Sequence, residues 1–477
     1  MSEDHMDAAP ARGLPPHHDG DPVLGEYEPF ADTALTDAER WPTLTGTGAA
    51  RLAALRAHPH APAWVHECGD RLGVDDLAAL AHLHSEISGI EPPRAGSAAP
   101  SWVTGLLERA ATTVPRYRRT WRGAPPAFAD VPTITRADLA ADLASFVPVD
   151  RSLADAFMGT STGSTGAALV LPQHARAVGS DLIQLRRLVA FADAHWVPDP
   201  GRLAVLSVVS QETAFTYASL LSAFEQAGMA RINLHPSAWR RPGDREAFLA
   251  AVDPQVITST PSALVDLAEI EVALHPVAVI SGANALSPAA RDLLRARWSA
   301  PVIDLYGLME TGPVAASVDG GPHLLLPREH HVEVLDAHGR GVAAGQRGEI
   351  VVTSAENPYL PLLRYRTGDH ATLTEDGALA DLEGRTPVRF AASDGTWVDA
   401  VGLTQVLQAH GTLAWHLHQG ADGTLGLRSV GGDEEPALRS IERLLGRRPR
   451  SVRLARPADL GAGKPRRFSS DLPGATP

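Results

Sequence analysis

The chain has 477 residues, 44% of them apolar and 21% charged, enough to enclose a large core and more than one domain. Its formal net charge of −14 excludes the basic footprint of a general nucleic-acid binder, and no apolar run reaches membrane-spanning length. A lone cysteine, Cys68, rules out an internal disulfide and a cysteine-based metal cluster, and reads as a small packing residue.

Residues 1–30 hold seven acids against Arg12, a net of −6, and predict a flexible acidic tail. The opening MSEDHMDAAPARG lacks the basic-then-apolar order of a secretory signal, so a cytoplasmic location with no membrane partner is expected. Residues 45–58 and 74–87 have helical periodicity; in the second, Leu77, Leu80 and Leu83 share a face behind Asp75 and Asp76. EPPRAGSAAPSW, 91–102, reads as a loop. From 203 onwards, short apolar strands alternate with helical stretches: LAVLSVV (203–209) before TYASLLSAFEQAG (216–228), VIT (256–258) before PSALVDLAEI, VAVI (277–280) before SPAARDLLRARW, then PVIDLY (301–306). This order means βαβ units and a mostly parallel sheet, whose carboxyl edge is where ligands sit. GEIVVTSA (348–355) marks an antiparallel section. Short strands and an Arg-rich run after about 385 fit a small α+β unit. The expected fold class is α/β: a large N-terminal domain over 31–383 with mostly parallel sheets flanked by helices plus an antiparallel section, and a small mobile α+β C-terminal domain over 384–477.

Two features point to phosphate chemistry. GTSTGSTGAALVL, 159–171, packs glycines and hydroxyls ahead of an apolar run, which lets the backbone approach an anion and adds donors. It is not a P-loop, since Ala167 and Ala168 follow Gly166 where that motif has Lys and Ser/Thr. The second is Lys464, the only lysine among 42 basic residues. A lysine that survives such a skew is either a chance surface residue or one whose compact ammonium does what a guanidinium does not.

Four pieces follow in order: TSTGSTG (160–166), YGLMETG (306–312), RYRTGD (364–369) and GKPRRF (463–468), with GR (384–385) before the last. Together they resemble the adenylate-forming superfamily of acyl-CoA synthetases, peptide-synthetase adenylation domains and luciferases. PYLPLLRYRTGDHATL, HHVEVLDAHGRGVAAGQRGEIVVTS and VITSTPSALVDLAE look most like its phenylacetate–CoA ligase branch. The likeness spans about 125–470; the first hundred residues resemble an extra segment in natural-product relatives, including phenazine-carboxylate-activating proteins.

The resemblance implies that a carboxylate attacks the α-phosphate of ATP to give acyl-AMP, after which a thiol displaces AMP. Ser161, Thr162, Gly163, Ser164, Thr165 and Gly166 would cover the β- and γ-phosphates. Glu310 would hold Mg²⁺, whose preference is for hard oxygen ligands. Tyr306 and Gly307 would lie against adenine, with Gly282, Ala283 and Asn284 along its other edge. Asp369 would take the ribose hydroxyls, an acceptor-only task. Arg385 would sit near ribose or phosphates, whereas Arg364 and Arg366 are open between site and structural roles. Lys464 would stabilise charge developing on the substrate carboxylate and α-phosphate.

SVVSQETAFTYASLL, 207–221, is expected to line the acyl pocket with Gly312, and Gln211, Phe215 and Tyr217 suggest an aromatic acid. Core packing explains the two aromatics equally well. Glu212 is a partner for an amino group, and His235, His330 and His331 read as structural histidines without repeated metal spacing. Three departures from the family pattern stand out. The phosphate loop has no lysine, Met309 stands where a Ser or Thr usually precedes the glutamate, and Pro387 lies where a hinge acid is expected. The expected enzyme is an ATP-dependent, AMP-forming aryl-carboxylate–CoA ligase of bacterial secondary metabolism, using Mg²⁺. Its partners would be a small aromatic carboxylic acid and CoA or another acyl acceptor, with a homodimer as one open assembly. Nitrite activation for an aryl amine and a non-catalytic adenylate-binding role are the alternatives.

Overall fold

The computed structural model describes residues 35–122, 124–154, 156–161, 169–212, 214–384, 388–461 and 466–475, and a strand at 27–29; at 27–29 and 160–161 the description is of backbone alone. Strands β1 (Tyr27–Pro29), β2 (Phe157–Ser161) and β3 (Leu169–Gln173) form an antiparallel sheet. The central sheet contains β4 (Val205–Val209), β5 (Tyr217–Leu221), β6 (Ala227–Asn233), β7 (Val256–Ser259), β8 (Ala278–Gly282), β9 (Val302–Leu308), β10 (Gly312–Val318) and β11 (Leu324–Leu325). Its order is β11-β10-β9-β8-β7-β4-β6-β5, with β9-β8-β7-β4-β6 parallel and the outer strands antiparallel.

The strand period of two explains how this sheet holds two cores. Val205, Val256, Ala278 and Ile303 enter a layer with Leu80, Leu182, Leu185 and Leu188 from helices Val74–Ile87 and Ala175–Phe191, and Cys68 packs against it. Leu206, Ile257, Val279 and Val302 enter the opposite layer, with Phe248, Leu264 and Leu294 from helices Asp244–Val252, Pro261–Ala268 and Pro288–Trp298. Both faces are covered, so the strands read as continuous apolar runs rather than as alternation.

The expected helix over 216–228 is not formed. Tyr217–Leu221 and Ala227–Asn233 are antiparallel strands joined by a 3₁₀ turn at Ser222–Phe224. Glu225 and Gln226 are left-handed, at φ 54° and 56°, which reverses the chain. Gln226 is fixed there from a distant segment: its Oε1 accepts from Thr45 N at 3.0 Å and its Nε2 donates to Thr43 O at 2.6 Å. Tertiary contacts therefore override a helical local pattern. The strand expected to end at Tyr306 also continues to Leu308, making YGLMETG the β9–β10 hairpin.

A third sheet, β12 (His330–Leu335), β13 (Arg347–Ser354), β14 (Leu362–Leu373) and β15 (Leu379–Glu383), is antiparallel throughout, as GEIVVTSA suggested. Irregularities in β14 surround Gly368, at φ 79°, and turn Asp369 toward the central sheet. Beyond it come the pair β16 (Arg389–Ala391) and β17 (Trp397–Asp399), then the sheet β20-β19-β18-β21 formed by β18 (Thr412–Gln419), β19 (Leu425–Gly431), β20 (Arg450–Arg453) and β21 (Phe468–Ser470). Helices Ala400–Ala409 and Glu434–Leu445 close over this sheet on a separate core around Phe390, Leu403, Trp415 and Ile441. No helix among the described residues is long and apolar enough to cross a membrane.

Candidate active site

The β9–β10 hairpin positions the first chemical groups. Gly307 is required there, because a Cβ would come within 2.8 Å of Gly312 O and Pro313 Cα. Tyr306 is 7% exposed, and its hydroxyl donates to Asp369 Oδ2 at 3.0 Å across 63 residues of sequence. Burial, then the Asp369 charge, raises the Tyr306 pKa well above the phenolic range, so the hydroxyl stays a donor. A Cβ on Gly384, the residue before Arg385, would lie 3.5 Å from Asp369 Oδ1.

Glu310 is 5% exposed. Oε1 accepts from Arg136 Nη1 at 2.7 Å and from the Tyr365 hydroxyl at 3.2 Å. Arg136 opens a short helix, Arg136–Ala141, whose Thr135 cap forms a reciprocal capping box with Asp138. Of the two partners, Tyr365 lies inside RYRTGD, whereas Arg136 is outside every motif and has only its Thr-x-x-Asp cap as a local signal. The β2–β3 hairpin reaches the same turn from both ends. A Cβ on Gly159 would lie 2.8 Å from Met309 Sδ, and Gln173 Nε2 donates to Met309 O at 2.9 Å. Ser161 ends β2 opposite Leu169; Thr162, Gly163, Ser164, Thr165 and Gly166 lie outside the described residues, as do Arg385 and Lys464.

Gly282 closes β8, and Ala283 follows at φ 65°, a left-handed conformation that costs a side-chain-bearing residue about 1–2 kcal/mol. Half-buried Asn284 donates its backbone N–H to Gly282 O at 2.8 Å. The C-terminal segment meets this loop. Arg467 Nη2 donates to Ala285 O at 2.6 Å and its guanidinium stacks 4.4 Å from the Trp415 ring centre. Ser287 Oγ, which also caps the helix Pro288–Trp298, donates to Leu413 O at 2.8 Å. Burial lowers the Arg467 pKa to about 10, opposed by Asp304 and Glu383.

Arg364 and Arg366 take structural partners. Arg364 donates to both Glu333 oxygens at 3.1 Å and to Val131 O, and Arg366 grips Glu349. On the acyl side, Gln211 exchanges two hydrogen bonds with Asn233, while its side-chain Oε1 is a buried acceptor with no hydrogen-bond partner. Phe215 packs on His66 with ring centres 5.1 Å apart, and Tyr217 is 2% exposed in the core layer. His235 bonds Ser237 Oγ at 2.7 Å.

Beneath Gly312 lies a cluster the motifs do not signal. Arg328, its side chain 2% exposed, bonds Asp181 Oδ1 at 2.5 Å, Glu356 Oε2 at 2.9 Å and Ser180 Oγ at 2.7 Å. Burial pushes the Glu356 pKa up most strongly, but the Arg328 and His330 charges, with hydrogen bonds from Arg328 and Glu329 N, together hold it at about 2. His330 beside it is pushed down to about 3, chiefly by burial. A Cβ at Gly312, already at φ 70°, would lie 3.3 Å from Asp181 Oδ1, so this cluster supports the hairpin from below.

Residues 156–357 match the profile of the family described as AMP-binding enzyme. That stretch is similar to AMP-binding enzymes. Over 150 residues it is 28% identical to the phenylacetate-coenzyme A ligase of Aromatoleum evansii, a stretch covering 28% of this chain and 34% of that relative, about a third of its length. Two structures of 2-hydroxyisobutyryl-CoA ligase in the postadenylation state, one with 2-HIB-AMP and one with R3-HIB-AMP, align at a TM-score of 0.56 and 19% identity. Each alignment covers 80% of this chain and 94% of theirs. The chain thus shares the fold of these two ligase structures, and its β9–β10 hairpin lies inside the stretch 156–357. Among the described residues no three of His, Cys, Asp and Glu gather as a metal cage. Mg²⁺ commonly takes one or two carboxylates, with phosphate and water oxygens completing its shell, so a single buried carboxylate such as Glu310 fits it.

Proposed function

We propose that the protein is an ATP-dependent, AMP-forming ligase that activates a small aromatic carboxylic acid and passes the acyl group to CoA. The observation that carries this reading is the meeting of Tyr306 and Asp369 at 3.0 Å, beside the buried carboxylate of Glu310. A donor-fixed aspartate with a second carboxylate next to it suits ribose hydroxyls and a metal-bound phosphate chain. The contact of Arg467 with Ala285 supports a C-terminal contribution to the same site, because Lys464 is three residues away in sequence. The division into a large unit up to 383 and a small mobile one from 384 is part of this proposal.

In the first step a substrate carboxylate oxygen bonds to the α-phosphorus as the bond to the β-phosphate oxygen breaks, giving acyl-AMP and pyrophosphate. Asp369 holds the ribose, Tyr306 keeps Asp369 oriented and lies against adenine, and Lys464 stabilises the charge gathering on the carboxylate and α-phosphate. Glu310 would hold Mg²⁺, which would supply charge neutralisation on the phosphates. In the second step the CoA sulfur attacks the acyl carbonyl carbon and AMP leaves. The partnerless acceptor of Gln211 favours a ring bearing an amino or hydroxyl donor, since a buried acceptor left unbonded costs about 1–3 kcal/mol.

AMP formation with a panel of aryl acids, with and without CoA or nitrite, tests the reading. Acid-dependent AMP release accelerated by CoA is expected. AMP release that needs nitrite and an aminoaryl acid, and is absent with carboxylates alone, would replace it by nitrite activation.

A further inference from the structure

We infer that Gln173 and Asn357 are positioning residues: as a relay of two buried amides they set the place of the turn that carries Glu310. The inference rests on the proposed function, in which Glu310 serves the nucleotide, and adds two residues outside its motifs. Gln173, at the end of β3, is 6% exposed, and Asn357, in the connection from β13 to β14, is 5% exposed. Asn357 Nδ2 donates to Pro172 O at 2.8 Å and to Gln173 Oε1 at 3.0 Å. Gln173 Nε2 then donates to Met309 O at 2.9 Å. Asn357 is itself held, since its Oδ1 accepts from Tyr359 N at 3.1 Å. The chain of bonds joins segments 184 and 136 positions apart and ends on the carbonyl one residue before Glu310.

The residue types suit the task. A primary amide carries an acceptor and a donor at the end of one side chain, so Gln173 receives from Asn357 and passes a donor on to Met309. Pro172 O and Met309 O only accept, which fixes the orientation of both amides. The turn has little else to hold it locally. Its own backbone bond, from Thr311 N to Leu308 O, is long at 3.3 Å, and the Met309 side chain brings no hydroxyl. Glu356, next to Asn357, bonds Arg328 at 2.9 Å beneath Gly312, so adjacent residues of one connection reach both sides of the turn. A carboxylate that is to meet a cation depends on such placement, because a shift of about 1 Å can cost a hundredfold.

The test uses wild type, Gln173→Met, Asn357→Leu and the double variant. Calorimetry measures affinity for ATP with and without Mg²⁺ and for AMP, and hydrogen exchange reads the segment 306–312. Loss of one hydrogen bond corresponds to about 2- to 10-fold. Gln173→Met is expected to cut the gain in ATP affinity that Mg²⁺ gives by about that factor, leaving AMP and metal-free ATP unchanged. It should also speed exchange over 306–312 while β4 and β7 stay protected. Asn357→Leu should act in the same sense and less strongly, and the double variant no more than Gln173→Met, because the relay is already cut. Unchanged exchange over 306–312, additive effects in the double variant, or equal loss for all three ligands overturns the inference, the last marking a purely structural role. Circular dichroism checks the fold. If a variant does not fold, Gln173→Glu and Asn357→Asp, which keep the acceptor and remove the donor, decide by the same criteria. A wild type that binds no ATP sinks the proposed function itself, and exchange in the single and double variants still decides the relay.

Discussion

The proposed nucleotide side and the proposed acyl side of the site are built in different ways. On the nucleotide side each acid has a named donor: Tyr306 for Asp369, and Arg136 with Tyr365 for Glu310. On the acyl side, the strand after Phe215 is covered by a segment from far earlier in the chain. Val65 N and His66 N donate to Thr216 O, Thr216 Oγ1 donates to Ala63 O, and His66 packs on Phe215. A fixed polar frame suits a cofactor common to many reactions. A wall borrowed from a separate segment lets the acid change without disturbing that frame. This contrast predicts that damage to one side leaves the other measurable.

The largest effect is expected at the residue proposed to serve both sides. Lys464→Arg should lower adenylation about a hundredfold or more, the scale of a lost transition-state contact, while ATP binding persists. Full activity in that variant removes Lys464 from the mechanism. Next in size, Gln211→Leu should shift the preference between amino- or hydroxy-substituted and unsubstituted aryl acids by about tenfold, with the KM for ATP unchanged. An equal change for all acids would mean that the Gln211 side chain does not read the ring.

The smallest effect concerns the cluster under Gly312. Burial holds the folded-state pKa of His330 down at about 3, against 6.5 for a free histidine. Between those values the unfolded chain binds the extra proton, so this contribution is present above pH 6.5 and is lost as pH falls toward 3. Denaturant midpoints of wild type across that window should fall more steeply than those of His330→Phe, by about one proton. Parallel pH profiles would show that His330 is not held neutral.

The residues proposed for the nucleotide side come from short ordered motifs, and the fold brings Tyr306 of one such motif to Asp369 of another. YGLMETG supplies both Tyr306 and Glu310, and the order of strand and helix signals gave the parallel sheet. Contacts made from outside the motifs were not legible. Arg136 reaches Glu310 across 174 positions, and Arg467 reaches Ala285 across 182. No local pattern encodes such contacts. The false helix at 216–228 has the same origin, since its turn depends on Gln226 bonding residues 43 and 45. The buried cluster of Arg328, Asp181 and Glu356 was equally silent, its members lying on one helix and two connecting segments that converge only in the fold.

The central claim is that these two sides make one site for adenylating an aryl acid. Exchange of labelled pyrophosphate into ATP, run with and without aryl carboxylates, tests it most directly. The account predicts exchange that requires both Mg²⁺ and an acid of this class. Exchange that no carboxylate stimulates, in protein shown to bind ATP, would contradict it.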